Sequence, residues 1–333
     1  MSKAAELANL IGNINAGGGG VNRNVIINGA MNVAQRGTSS TGIGASSGYF
    51  TCDRWKITTG NTAGRLTMTQ TADGPSGFAN CIKLDCTTAD TSIAADEITI
   101  LGQSFEGQNV QAFAKGTSDA KPFVVSFYVK GNASATYVAE LYDHDNTRNI
   151  TQAFSVTTDW TRVELTFPAD TTGAFGDDAN ASLTFQIWIH AGSTYSGGTF
   201  ADNTWGSVTQ ANRYAGSRTS FFDSTDRTFF LTGVQLEVGQ NPTSFEHEPF
   251  GVTQEKCHRY FYQTTNQHYG SYGEYNAAGY DNVQFPTDMR AVPTATKGSG
   301  SQTIQNRSIR RVDIYVVNSY PSMPDDSTFD AEL

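Results

Sequence analysis

Residues Phe123, Val125, Phe127 and Val129 alternate with Val124, Ser126, Tyr128 and Lys130, a two-residue period that an extended chain with one buried face produces. The same period recurs at Val163, Leu165 and Phe167, which alternate with Arg162, Glu164 and Thr166. It recurs again at Leu183, Phe185, Ile187 and Ile189, and at Phe230, Thr232, Val234, Leu236 and Val238. Further strands are expected over 64–70, 81–84, 97–101 and 136–142. About ten strands between residues 21 and 250, with no helical period between them, predict two antiparallel sheets stacked face to face. The composition agrees: 33 glycines and only 16% charged residues suit short strands joined by turns. The expected fold is all-β, a jelly-roll β-sandwich.

Both ends depart from this text. Ser2 to Ile14 predicts a short helix, with Ser2 able to cap it and Glu6 in its first turn. Ala4, Leu7, Ile11 and Ile14 lie three and four apart, an apolar stripe barely two heptads long that needs a partner. Ala16 and four glycines, Gly17 to Gly20, then form a flexible tether. Residues 251–333 read as a small β-rich C-terminal domain: a short amphipathic turn at 253–258, then strands over 312–317 and 329–333. The expected organisation is therefore 1–20 helix and linker, 21–250 jelly roll, and 251–333 C-terminal unit.

The formal net charge of −10, without a basic cluster, argues against nucleic acid as a partner. No run approaches 18 apolar residues, so no membrane insertion is expected, and residues 1–16 lack the apolar core of a signal peptide. Folding in a cytoplasm is the expectation. Cys52, Cys81, Cys86 and Cys257 have no zinc-site spacing and read as buried free thiols.

Few constellations suggest chemistry. Gly44-Ala-Ser46-Ser-Gly48 matches a nucleophile elbow in letters, but such an elbow needs a strand before it and a helix after it. Asp143-His144-Asp145 and Glu246-His247-Glu248 sit at expected strand ends, where carboxylates are usually solvated. Asp143, Asp145 and Asn146, or Asp177 and Asp178, offer the hard oxygens calcium takes, yet solvated turns explain them better; no metal or cofactor is expected. The loop from 191 to 218 carries Tyr195, Phe200, Trp205 and Tyr214 among Gly, Ser and Asn. These aromatics either stack on sugar rings or pack onto the sheet below.

The run Asn24-Val-Ile-Ile-Asn28-Gly29, then Gln35-Arg36-Gly37 and Asp53-Arg54-Trp55, resembles the opening of tailed-bacteriophage tail-fibre and virion appendage proteins. Lys121 to Lys130, Thr232 to Gly239 and Phe245-Glu-His247 resemble the same family's jelly roll, which is similar to carbohydrate-binding modules. Cys257-His-Arg-Tyr260, the stretch Phe285 to Pro293 and the terminal Asp330-Ala-Glu-Leu333 resemble its small C-terminal unit. The resemblance implies a structural protein of the virion: a non-catalytic tail-fibre-type adhesin for a host-surface glycan. It implies a homotrimer anchored to other virion proteins through the N-terminal helix. A capsid head fibre or decoration protein is the alternative, and a polysaccharide-degrading tailspike a third.

Overall fold

The computed structural model describes residues 2–15, 22–264, 278–298, 303–317 and 327–333. The chain forms two compact units, Met1–His247 and Glu248–Leu333. In the first unit, helix α1 (Lys3–Asn15) precedes strands β1 (Ser39–Ile43), β2 (Gly48–Tyr49), β3 (Lys56–Gly60), β4 (Arg65–Thr71), β5 (Cys81–Thr88) and β6 (Ile98–Glu106). Next come β7 (Phe123–Gly131), β8 (Ala135–Asp143), β9 (Arg148–Val156), β10 (Thr161–Phe167) and β11 (Ala181–Ala191). A single-turn helix α2 (Ser193–Ser196), β12 (Gly206–Ser207) and β13 (Thr228–Val238) complete the unit.

One sheet has the order β1-β4-β5-β13-β7-β10 and the other β12-β9-β8-β11-β6-β3-β2. Their ladders are antiparallel, and β13, last in sequence, inserts between β5 and β7. This is a jelly-roll sandwich. Phe123, Val125, Phe127 and Val129 are all wholly buried, and the Phe127 ring meets Phe154 and Phe185 from the opposite sheet, centroids 5.1 and 6.0 Å away. The alternation thus does what its period requires. Strands β1, β2, β3 and β9 carry weaker alternation and were not expected from it; β9 gains its place by pairing along its whole length with β8.

The opening motifs form one buried knot. The Asn28 amide donates to the Val33 and Asp53 carbonyls (2.8 and 3.1 Å), and its Oδ1 accepts from Val33 N–H at 3.0 Å. The wholly buried Trp55 donates its indole N–H to the Asn28 carbonyl. Asp53 accepts from the Gln35 backbone and faces Arg36 at 3.7 Å, while Arg54 donates to the Ser104 carbonyl. A Cβ on Gly29 would lie 2.1 Å from the Val234 carbonyl oxygen, so only glycine lets this segment approach β13.

α1 forms where its capping residue and spacing place it. Ala4, Leu7 and Ile11 are exposed, Leu7 by 57% and Ile11 by 49%. The Ile14 side chain and the tether, 16–20, lie outside the described residues. Among the described residues no helix is long and apolar enough to cross a membrane.

The second unit holds helix α3 (Phe250–His258), then β14 (Phe261–Gln263), β15 (Ala278–Gln284), β16 (Thr294–Thr296), β17 (Thr303–Arg307), β18 (Arg311–Val317) and β19 (Thr328–Asp330). These make two three-stranded sheets, β14-β19-β16 and β15-β18-β17. Tyr262, Val283, Phe285, Met289, Val312, Ile314 and Phe329 form its own small core. The turn expected at 253–258 is a longer helix. Pro249 at its entrance has a preset φ and no N–H to leave unsatisfied, and Lys256 complements the dipole in its last turn.

Candidate functional site

On the outer face of the six-stranded sheet, β7 and β10 run side by side with Tyr128 opposite Arg162 and Ser126 opposite Glu164. Phe78, from the β4–β5 connection, and Phe245 and His247, beyond β13, converge on this pair. Phe78 lies 5.3 Å from Tyr128, 5.0 Å edge-on from Phe245 and 5.1 Å from His247, centroid to centroid. These four rings, with Arg162 and Glu164, line a cleft of about 440 Å³, and Glu6 of α1 reaches its rim. Neither strand period nor motif spacing brings Phe78 and Phe245 together; sequence reasoning missed the cleft.

The cleft is held rigidly from beneath. Gln235 and Glu237 lie on the outward face of β13, yet both are buried because residues 243–246 fold over them. Glu237 accepts from Thr243 N–H and Oγ1 at 2.8 Å, and Gln235 Oε1 accepts from Glu246 N–H at 2.8 Å. Their role is to hydrogen-bond a neighbouring loop. The consequence is that Phe245 and His247 are fixed in space. Glu246 accepts from the backbone N–H groups of Asn22 and Asn24 (2.7 and 3.0 Å), binding the unit's start to its end. Arg162 donates to Ser126 Oγ and the Thr243 carbonyl and pairs with Glu164 at 2.7 Å. Gly233 sits at φ +62° in an irregularity of β13, and a Cβ there would stand 2.7 Å from the Phe78 ring and 2.8 Å from Tyr128.

The loop aromatics lie elsewhere and do not form one cluster. Tyr214 is 3% exposed and donates its hydroxyl to the Thr219 carbonyl. It and half-buried Tyr195 cover Trp188 of β11, at 6.3 and 5.6 Å. Arg213 lies over the Trp188 and Tyr142 rings and is held by wholly buried Glu140 at 2.8 Å. Trp205 is half-buried, donates to the Pro168 carbonyl at 2.8 Å, and packs between Phe123 and the Lys115 ammonium. Phe200 stacks under Arg218 at 4.4 Å.

The acidic loops are also occupied. Asp143 is buried against Lys115 and accepts from Asn146, while Asp145 accepts from Gly176 N–H and Asp178 from Asn180. Asp177 is exposed. Lys115 also reaches Asp170 at 3.2 Å and the carbonyls of Thr172 and Gly173, so an ammonium stands where a calcium ion would have been sought. Burial alone would raise the Asp170 carboxyl; the Arg148 and Thr172 N–H hydrogen bonds, with Lys115, outweigh it and hold it below the usual carboxylate value. Burial lowers His144, whose Nε2 is 2.6 Å from Thr184 Oγ1. Ser46 is exposed on the turn between β1 and β2, with no helix after it. All four cysteines are free and buried, and burial pushes Cys81 and Cys86 up to about 11.

No family model matches the chain, and no curated protein does. Among solved structures, a carbohydrate-binding module of the CBM4 type is similar over 63% of this chain and 97% of its own, at 12% identity and a TM-score of 0.32. A family 11 module from Clostridium thermocellum, in complex with a β-1,3-1,4-mixed-linked tetrasaccharide, covers 63% and 98% at 10% identity and TM-score 0.29. The enzymatically active domain of tailspike protein 4 from bacteriophage CBA120 covers 65% of this chain and 21% of its own, at 11% and 0.34. These are likenesses of fold, and none assigns a residue or ligand to this chain.

Chemically, the cleft pairs apolar ring faces with a fixed cation and an exposed carboxylate. Such a surface offers π-faces to the C–H side of a sugar ring and donors and acceptors to its hydroxyls. The legible trace in the sequence is that Tyr128, Arg162 and Glu164 all fall on outward positions of the alternation.

Proposed function

We infer that this chain is a non-catalytic glycan-binding structural protein of a tailed-phage virion, a tail-fibre-type adhesin. The observation that carries the glycan reading is the rigid aromatic cleft of Phe78, Tyr128, Phe245 and His247 beside the Arg162–Glu164 pair. A cleft of this size, in which four rings stand among Glu6, Ser76, Arg162, Glu164 and Ser244, suits one or two sugar units. Tyr195, Phe200 and Trp205, each partly exposed on the loop, are a second place where a longer glycan touches the unit. The virion setting is supported by the ordered motifs from Asn24 to Trp55, whose residues work here as one knot. Assembly as a homotrimer would multiply weak single-site binding. The exposed stripe of Ala4, Leu7 and Ile11 is what an anchor to another virion protein requires.

The test is binding of the purified full chain to host-surface polysaccharide by biolayer interferometry. Phe245→Ala and Glu164→Ala should each weaken binding about tenfold, about 1.4 kcal/mol, with melting temperature little changed. Wild-type binding by both variants would remove the cleft from the reading. Release of reducing sugar from the same polysaccharide would turn it to a tailspike. Gold labelling of the N-terminus in intact particles separates tail from head.

A further inference from the structure

Asp90, Glu97 and His190 meet inside the first unit, on elements that the cleft does not use. They are 5%, 3% and 0% exposed, and one donor atom from each lies within 4.8 Å of the others. His190 Nε2 is 2.9 Å from Glu97 Oε2, and its other nitrogen, Nδ1, is 2.8 Å from Ser220 Oγ. Ser220 is itself tied down by the Phe222 N–H at 3.1 Å. Each carboxylate is steadied from outside the triad: Asp90 Oδ2 accepts from Thr62 Oγ1 and Ala63 N–H, and Glu97 Oε1 from Ala94 N–H.

Among the described residues no lysine or arginine pairs with Asp90 or Glu97; the two carboxyls hydrogen-bond each other, and when both are ionised they face at most one imidazolium. A buried charge is paired, neutralised by a proton or bound to metal, because an uncompensated ion loses its hydration. A dication with a neutral imidazole would bring the triad to zero. The Ser220 contact is the kind of outer bond that fixes a ligating histidine and turns its second nitrogen toward an ion.

We propose that Asp90, Glu97 and His190 form a divalent transition-metal site of the Zn²⁺ type, with one nitrogen and two oxygen ligands. Donor distances of about 2.0–2.2 Å for such an ion span separations up to about 4.4 Å, so small side-chain rotations close the set. Imidazole selects a transition dication over calcium. His190 is wholly buried and both carboxylates nearly so, which suits a structural ion. It staples the residue 62–64 turn, the β5–β6 connection and the end of β11.

The full chain, stripped with EDTA and dialysed, is titrated with ZnCl₂ by calorimetry and melted with and without the ion. Expected are one equivalent bound per chain, a melting temperature higher by several degrees, and an X-ray absorption first shell of nitrogen and oxygen with one imidazole and no sulfur. Asp90→Asn and His190→Gln should each lose the stoichiometric binding and the Zn²⁺-dependent rise, and either variant suffices if the other fails to fold. No binding to the wild type, binding unchanged in a folded variant, or a sulfur-containing shell would overturn the proposal. None of these outcomes depends on glycan binding.

Discussion

The Lys115 ammonium lies 2.6 Å from a carboxylate oxygen of Asp143, with both side chains wholly buried. Around them Asp170, Arg148, two backbone carbonyls and the rings of Phe175 and Trp205 complete a network at the end of the sandwich where β8 turns into β9. Lys115→Met should therefore be among the most damaging changes in the unit. It leaves Asp143 buried without its cation, a loss of about 3–5 kcal/mol. Urea denaturation should show a lower midpoint, and Lys115→Met with Asp143→Leu should recover part of it.

Acid should act on the same network. The folded Asp170 carboxyl titrates below its usual value, so its stabilisation is fully present above the unfolded value near 3.8 and is lost as pH falls through the lower, folded value. Denaturation midpoints measured from pH 5 down to pH 2 should fall less steeply for Asp170→Asn than for wild type.

Trp205→Ala tests what the loop aromatics do. The indole fills space beside Phe123, donates to Pro168 and faces Lys115, so its removal should cost about 2 kcal/mol or more. Phe200→Ala, which removes only a ring under Arg218, should cost about 0.5–1 kcal/mol. Thermal melts of both variants, beside their polysaccharide binding, separate packing from recognition.

Gly233→Ala should damage the cleft without replacing any residue that lines it. The new methyl must displace the Phe78 or Tyr128 ring and hold a left-handed backbone, at about 1–3 kcal/mol. Polysaccharide binding should fall further than for a surface substitution of equal stability cost.

Leu7→Asp and Ile11→Asp lie on exposed positions, so stability should change by no more than about 0.5 kcal/mol. Incorporation into particles should nonetheless be lost, as for deletion of 1–16, when a phage lacking the protein is complemented with each variant. Particles carrying normal amounts would place the docking surface on the body.

The two-residue alternation by itself determined the class of fold and the inward faces of β7, β10, β11 and β13, as the three-and-four spacing of Ala4, Leu7, Ile11 and Ile14 determined the separate helix at the start. It could do so because burial of one face of an extended chain is a local property, written every second residue. The same period marked Trp188, Gln235 and Glu237 as outward, and all three are buried. Nothing in a strand's own pattern says which loop will lie over its outer face. That was decided by the tertiary structure, as residues 192–218 covered Trp188 and residues 243–246 covered Gln235 and Glu237. The functional clusters belong to the same class. Phe78 joins Phe245, and Asp90 joins His190, only because β13 inserts between β5 and β7 and the sheets close face to face. Such contacts between residues far apart in the chain leave no spacing to read, because loop closure sets their geometry and the intervening sequence does not.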